Sequence, residues 1–226
     1  METKIINIGN QKGGVGKSTI TSLIANYLHL KTDYSVCVID ADDLQGTLSH
    51  FRNKDLENGH KEENLYDLIK INSKDFPKTY MNAIMGEYDF VFVDLPGNLK
   101  QQGVIQAYAM ADYIFIPTSL TPADLDSTLK FVDYYDKDIL PVRSKAGFSK
   151  PVIKAFLNKI NPRTLEYKQF DLNREVYTNP EFLEGFIPYS EVTFGRNANT
   201  AEIYSGNGNK DFNRFCEELI SVITKN

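Results

Sequence analysis

The chain has 226 residues, 42% of them hydrophobic and 24% charged, with 25 Lys and Arg against 30 Asp and Glu. A globule of this length buries roughly 70% of the surface its unfolded chain exposes and needs no disulfide staples. Its two cysteines, Cys37 and Cys216, have no second Cys or His at ligand spacing, which argues against zinc, iron–sulfur and thiol redox chemistry. No apolar run approaches about 18 residues, and the start lacks the long apolar stretch of a signal peptide, so a cytoplasmic protein is expected.

Short apolar runs alternate with helical patterns along the chain. Lys4–Gly9 is β-branched and leads into a glycine-rich loop, and Lys17–Leu30 then repeats Ile20, Leu23, Ile24, Tyr27 and Leu28 at a helical period. Ser35–Asp40 and Tyr88–Asp94 are apolar runs closing on an aspartate; Tyr113–Pro117 and Pro151–Leu157 are two more. Helical stretches lie at Gln101–Met110, Ala123–Lys137 and Asp211–Thr224. Strand and helix in alternation predict one α/β domain over residues 1–226, a mostly parallel twisted sheet with helices on both faces. Its functional residues are expected beyond the C-terminal ends of the strands. Asp138–Lys150 and Glu191–Gly208 read as surface loops, and the charged segment Arg52–Glu63 as a solvated loop.

The chemistry is concentrated after the first strand, in Asn10-Gln11-Lys12-Gly13-Gly14-Val15-Gly16-Lys17-Ser18-Thr19. Three glycines let the backbone wrap until successive N–H groups converge on phosphate oxygens. The helix that follows adds roughly half a positive charge at its N-terminus. Lys17 is placed to reach β- and γ-phosphates and the Ser18 hydroxyl to ligate Mg²⁺, which makes this a P-loop NTPase pattern and makes ATP with Mg²⁺ the expected ligand. The strict pattern has Gly where this chain has Gln11.

The string KGGVGKST resembles the deviant Walker A motif of the ParA/MinD family of ATPases, and the preceding Asn-Gln resembles its ParA branch. The resemblance implies that Lys12 reaches across an ATP-dependent homodimer to the partner's nucleotide, supplying positive charge where negative charge collects. Asp40-Ala41-Asp42-Asp43-Leu44-Gln45-Gly46-Thr47 is similar to the family's switch I pattern but one residue longer. It implies that Asp40 lies near Mg²⁺ and that Asp42 positions the attacking water, with Asp43 as the alternative. Val91-Phe92-Val93-Asp94-Leu95-Pro96-Gly97-Asn98 resembles Walker B running into switch II: Asp94 would hold a Mg²⁺-bound water and Gly97 would meet the γ-phosphate. Metal contacts therefore fall to Ser18, Asp40 and Asp94. Catalysis falls to Lys12, Lys17 and Asp42, and nucleotide contacts to Lys12 through Thr19 (Gly13, Gly14, Val15 and Gly16 included) with Gly97. Pro117-Thr118 and Pro122-Ala123-Asp124 look like a further family segment. Asn158 falls where the family reads adenine, and Ile187-Pro188 where it packs against the base, so Pro188 joins the expected contacts.

Within the family, the carrier branch needs bridging cysteines that this chain lacks. The tail stripe of Phe212, Phe215, Leu219 and Ile223 has acidic flanks that anionic lipids repel, so it reads as a core-packing helix and no membrane partner is expected. The resemblance thus implies a ParA-type switch of the small form. Such a protein binds DNA nonspecifically as an ATP dimer, is released by a centromere-binding (ParB-like) or other activating protein, and drives plasmid, chromosome or mobile-element partition. The alternative is an ATPase positioning another cargo, a conjugation, secretion or division complex, without DNA. Residues 1–140 carry 13 basic and 20 acidic side chains while residues 141–226 carry 12 and 10. Candidate DNA contacts are accordingly Lys145, Lys150, Lys154, Lys159, Arg163, Lys168, Arg174 and Arg196, in the positive C-terminal third.

Overall fold

The computed structural model describes residues 2–42, 46–76, 78–79, 88–189, 201 and 210–225. Among them the strands β1 (Lys4–Ile8), β2 (Val36–Asp40), β3 (Asp67–Lys70), β4 (Phe90–Asp94), β5 (Tyr113–Thr118), β6 (Val152–Ile160) and β7 (Glu181–Pro188) form a parallel sheet in the order β3-β2-β4-β1-β5-β6-β7. The helices are α1 (Lys17–Lys31), α2 (Thr47–Glu57), α3 (Val104–Met110), α4 (Pro122–Tyr134), α5 (Leu140–Lys145), α6 (Leu165–Leu172) and α7 (Lys210–Thr224). This is the α/β architecture of a P-loop NTPase. The central strands are apolar on both sides because both faces are covered, and alternate residues belong to different layers. Ile6 and Ile8 of β1 pack with Ile20, Leu23 and Ile24 of α1 and with Phe212, Phe215 and Leu219 of α7. Ile5, on the other face, packs with Val104 and Tyr108 of α3 and Phe131 of α4.

Strand β1 lies between β4 and β5, and the chain leaves it in opposite directions toward β2 and, later, β6. A crevice opens at such a switch point, beyond the C-terminal strand ends, and α1 begins there. Further out, Thr121 caps α4 by accepting from Asp124 N at 3.3 Å, and Thr164 caps α6 by accepting from Tyr167 N at 3.3 Å.

Two segments expected to be loops are not. Within Arg52–Glu63, residues through Glu57 belong to α2, and Arg52 and Asp55 are buried. Arg52 pairs with Glu62, donates to Tyr66 O and lies over the Tyr66 ring at 4.7 Å, so its charge is satisfied indoors. Within Asp138–Lys150, a π turn (Tyr135–Ile139) carries α4 into α5. Pro141 sits in the first turn of α5, where a missing N–H costs least. Of Glu191–Gly208 only Ala201 lies within the described residues. The edge strands β3 and β7 and the helix α6 were not distinguished in the sequence. The tail stripe packs into the core, with Phe156 and Phe215 ring centroids 4.7 Å apart.

Arg143 of α5 is 3% exposed and donates to Ala109 O at 2.8 Å, to Ala111 O at 2.5 Å and to Ser149 O. It therefore closes the carbonyl end of α3. Arg143→Met would strand these acceptors and is expected to lower stability by about 3 kcal/mol, read as a reduced urea midpoint at unchanged slope. An unshifted midpoint would show that water replaces the guanidinium.

Candidate functional site

The loop after β1 is held from below by one side chain. Asn10, 1% exposed, donates from Nδ2 to Pro117 O at 3.0 Å and accepts at Oδ1 from Lys12 N at 2.9 Å and Ser127 Oγ at 3.3 Å. The loop then turns through left-handed conformations at Gly14 (φ 75°) and Gly16 (φ 91°), which a side chain would strain, and enters α1 at Lys17. Above it lies a cleft of about 790 Å³, within the size range of ligand pockets, lined on the loop side by Gly13, Gly14, Gly16, Lys17, Ser18 and Thr19.

Facing the loop are the ends of β2 and β4. Asp40 and Asp94 are register partners, so two carboxylates stand side by side, each 1% exposed. Burial pushes Asp94 up to about 7; the Ser18 hydrogen bond opposes this, and the charge of Asp40 adds to it. Burial lowers the Lys17 ammonium below the usual lysine value, opposed by Asp94 and Asp42. Asp42 lines the cleft and donates its backbone N–H to Asp40 Oδ1 at 3.2 Å, while Asp43 lies outside the described residues. A Cβ built on Gly97 would lie 3.5 Å from Lys17 Nζ, which places the start of the segment after β4 against the loop.

The residues fit Mg²⁺. Ser18, Asp40 and Asp94 offer hard oxygen donors only, and Asp94 Oδ1 is buried with no hydrogen-bond partner among the described residues. Among those residues no group of three or more His, Cys, Asp or Glu side chains is arranged to hold a metal ion by itself.

The far wall comes from β6 and β7. Asn158 donates from Nδ2 to Val15 O at 2.9 Å, tying that wall to the loop, and its register partner Ile187 lines the cleft with Pro188 and the 60% exposed Tyr189. Sequence reasoning missed Thr47, Gln101, Lys159 and Tyr189 as lining residues. Lys159 is the one non-glycine with positive φ (59°) among the described residues.

Lys12 is not gathered with the others. It pairs with Asp124, which also accepts from Ser119 Oγ, outside the main cleft. Burial would raise the Asp124 carboxyl, but hydrogen bonds from Lys12, Ser119 and Thr121 together hold it below the usual range. The candidate DNA cations divide likewise. Lys150 pairs with Asp136 at 2.7 Å and Lys154 with Glu181, toward the start of β6, while Lys159 and Arg163 lie at and beyond its end. The nine-residue strand separates its two ends by roughly 30 Å. Arg174 is engaged by Asp171 at 2.5 Å and by Leu183 O, and Arg196 lies outside the described residues. No helix among the described residues is long and apolar enough to cross a membrane.

Comparison with known proteins gives consistent results. The chain is 28% identical over 159 residues, 70% of its length and 67% of the relative's, to Maintenance of carboxysome distribution protein A of Halothiobacillus neapolitanus. Its fold is similar to that of a Borrelia burgdorferi B31 protein bound to AMPPNP (TM-score 0.68, 22% identity, 100% and 99% of the two chains). It is also similar to pNOB8 ParA bound to nonspecific DNA (TM-score 0.70, 20% identity, 99% of each). Residues 6–199 match the CobQ/CobB/MinD/ParA nucleotide binding domain, and the chain belongs to this family, whose ParA and MinD members are P-loop ATPases.

Proposed function

We propose that this protein is an ATP-driven switch: it binds ATP with Mg²⁺ in the cleft, pairs with a second copy while ATP is bound, holds DNA of any sequence in that state, and hydrolyses ATP slowly to let go. The observation that carries the reading is the convergence of the buried Lys17 ammonium, Gly97 and the adjoining carboxylates on one side of the cleft. A buried cation between acidic groups is costly until a polyanion and its counter-cation are both present, so the site favours the pair together.

In this reading the loop N–H groups and Lys17 bind the β- and γ-phosphates, and Ser18, Asp40 and Asp94 hold Mg²⁺ and its waters. Bound Mg²⁺ supplies neutralising charge at the β- and γ-phosphoryl oxygens. Asp42 orients the water that attacks the γ-phosphorus in line with the bridging P–O bond, which breaks as ADP leaves. Asn158 and Pro188 meet the adenine. Lys12 acts in trans after leaving Asp124, whose carboxylate keeps the hydrogen bond from Ser119.

Lys17→Ala is expected to abolish tight ATP binding in a folded protein, measured by titration calorimetry with Mg²⁺; unchanged affinity would remove the phosphate-loop assignment. Asp42→Ala should bind ATP normally, lose hydrolysis by at least about 100-fold and sediment as a dimer with ATP and Mg²⁺. If Asp43→Ala gives the trapped dimer and Asp42→Ala does not, the longer switch I loop shifts the role by one residue.

Partition by DNA tethering is supported by the fold shared with a DNA-bound ParA. Two copies would present two sets of cations, and joint phosphate contacts steepen affinity. The trapped dimer should therefore shift mixed-sequence DNA in a gel with ATP but not ADP, weakening sharply between roughly 50 and 200 mM salt. A second reading, positioning of another cargo without DNA, is favoured by the relative's name, which concerns carboxysome distribution. A confirmed ATP dimer that ignores DNA at low salt would select it.

A further inference from the structure

The wall that carries Ile187, Pro188 and Tyr189 belongs to β7, an edge strand, and β7 is irregular. Ala155 of β6 is opposite Phe182, but Leu157 is opposite Phe186, so two steps along β6 match four along β7. The surplus falls at Leu183–Gly185. Glu184 N–H donates to Glu218 Oε1 at 2.9 Å and Gly185 N–H to Glu218 Oε2 at 2.6 Å, so one carboxylate of α7 takes both donors of the bulge. A Cβ on Gly185 would come within 2.7 Å of Phe215 Cα, so the missing side chain is what lets the helix backbone close on the strand. Arg214, one turn before Glu218, reaches the Glu184 carboxylate at 3.3 Å.

Two residues beyond this clamp the strand enters the cleft wall. Ile187 belongs to the same apolar layer as Leu183, Phe212 and Phe215, and Tyr189 N–H donates to Ile160 O at 2.9 Å. Side chains alternate along a strand, so a bulge that slips by one residue would turn Ile187 away from the layer and bring a neighbour in its place. Water can satisfy the two edge N–H groups, but it cannot fix how much chain the bulge holds; a bidentate carboxylate on a packed helix can.

We infer that Glu218 is a positioning residue for the nucleoside end of the cleft: by gripping the β7 bulge it sets the register of Ile187–Tyr189 and thereby the discrimination between a nucleoside triphosphate and a bare triphosphate chain. The inference rests on the reading of the cleft as an ATP site. It assigns to the C-terminal helix a role in ligand recognition made entirely through the backbone of another element.

The test compares the parent protein with Glu218→Ala, Glu218→Gln and, as a control on the same helix, Glu217→Ala. Affinities for ATP and for inorganic tripolyphosphate, each with Mg²⁺, are measured by titration calorimetry alongside thermal melts. Glu218→Ala should lose about tenfold in ATP affinity and none for tripolyphosphate, because the phosphate loop is untouched. Glu218→Gln, which keeps one accepting oxygen, should fall between, and Glu217→Ala should match the parent. Undiminished ATP affinity in folded Glu218→Ala overturns the inference, as does a parallel loss for both ligands, which would indicate a merely structural role. If the alanine variant does not fold, an undiminished ratio of ATP to tripolyphosphate affinity in Glu218→Gln overturns it. A parent protein that binds tripolyphosphate as tightly as ATP instead fails the reading of the far wall as a nucleoside site, and the inference falls with it.

Discussion

Keeping a charged ammonium and several carboxylates out of water in one small volume is the constraint on which the rest of the structure depends. Lys17 opens α1, Asp40 and Asp94 end adjacent strands, and Asp42 follows directly. None of these groups is comfortable alone: burial lowers the lysine and raises Asp94. They remain because rigid elements deliver them there. β1 is clamped between β4 and β5, with α1 and α7 packed on one face and α3 and α4 on the other, so the loop cannot relax away from the carboxylates. The strain of crowded charge is thereby kept available for a ligand that brings both signs of charge with it.

The two ends of the cleft are built differently. The loop end is made from central strands, each paired with a neighbour on both sides in a regular parallel register. The far wall is made from β6 and the edge strand β7, whose ladder is irregular. An edge has spare N–H groups and weaker control of register, and here a carboxylate from α7 supplies what a further strand would otherwise provide. The core thus reaches the cleft by two routes, one through the loop after β1 and one through the backbone of β7.

Charge along the chain sorts into three physical uses. Arg52 and Arg143 are interior braces, each donating to backbone carbonyls. Lys150, Lys154 and Arg174 are held by nearby carboxylates. Lys145, Arg163 and Lys168 stand exposed. A count of basic residues treats these alike, whereas desolvation and pairing make them chemically distinct.

The sequence by itself determined the alternation of strands and helices, because apolar runs buried on both faces and a helix with one apolar face leave different periods. It also placed the glycine-rich loop after β1, because a tight left-handed turn needs glycine, and the aspartates closing β2 and β4, because an apolar run ends where a charged residue follows. What it left open are features whose cause lies far away in the chain. The four-residue β3 and the bulged β7 have no strong period, and α2 hides the buried charge of Arg52, whose partners, Glu62 and Tyr66, are met only after the chain turns back. The pairing of Lys12 with Asp124 spans 112 residues, and Glu218 grips a bulge 33 and 34 residues before it. Only the tertiary structure decided these, because a hydrogen bond between distant residues depends on where the packed layers bring two stretches of backbone, and local residue preferences carry no record of that.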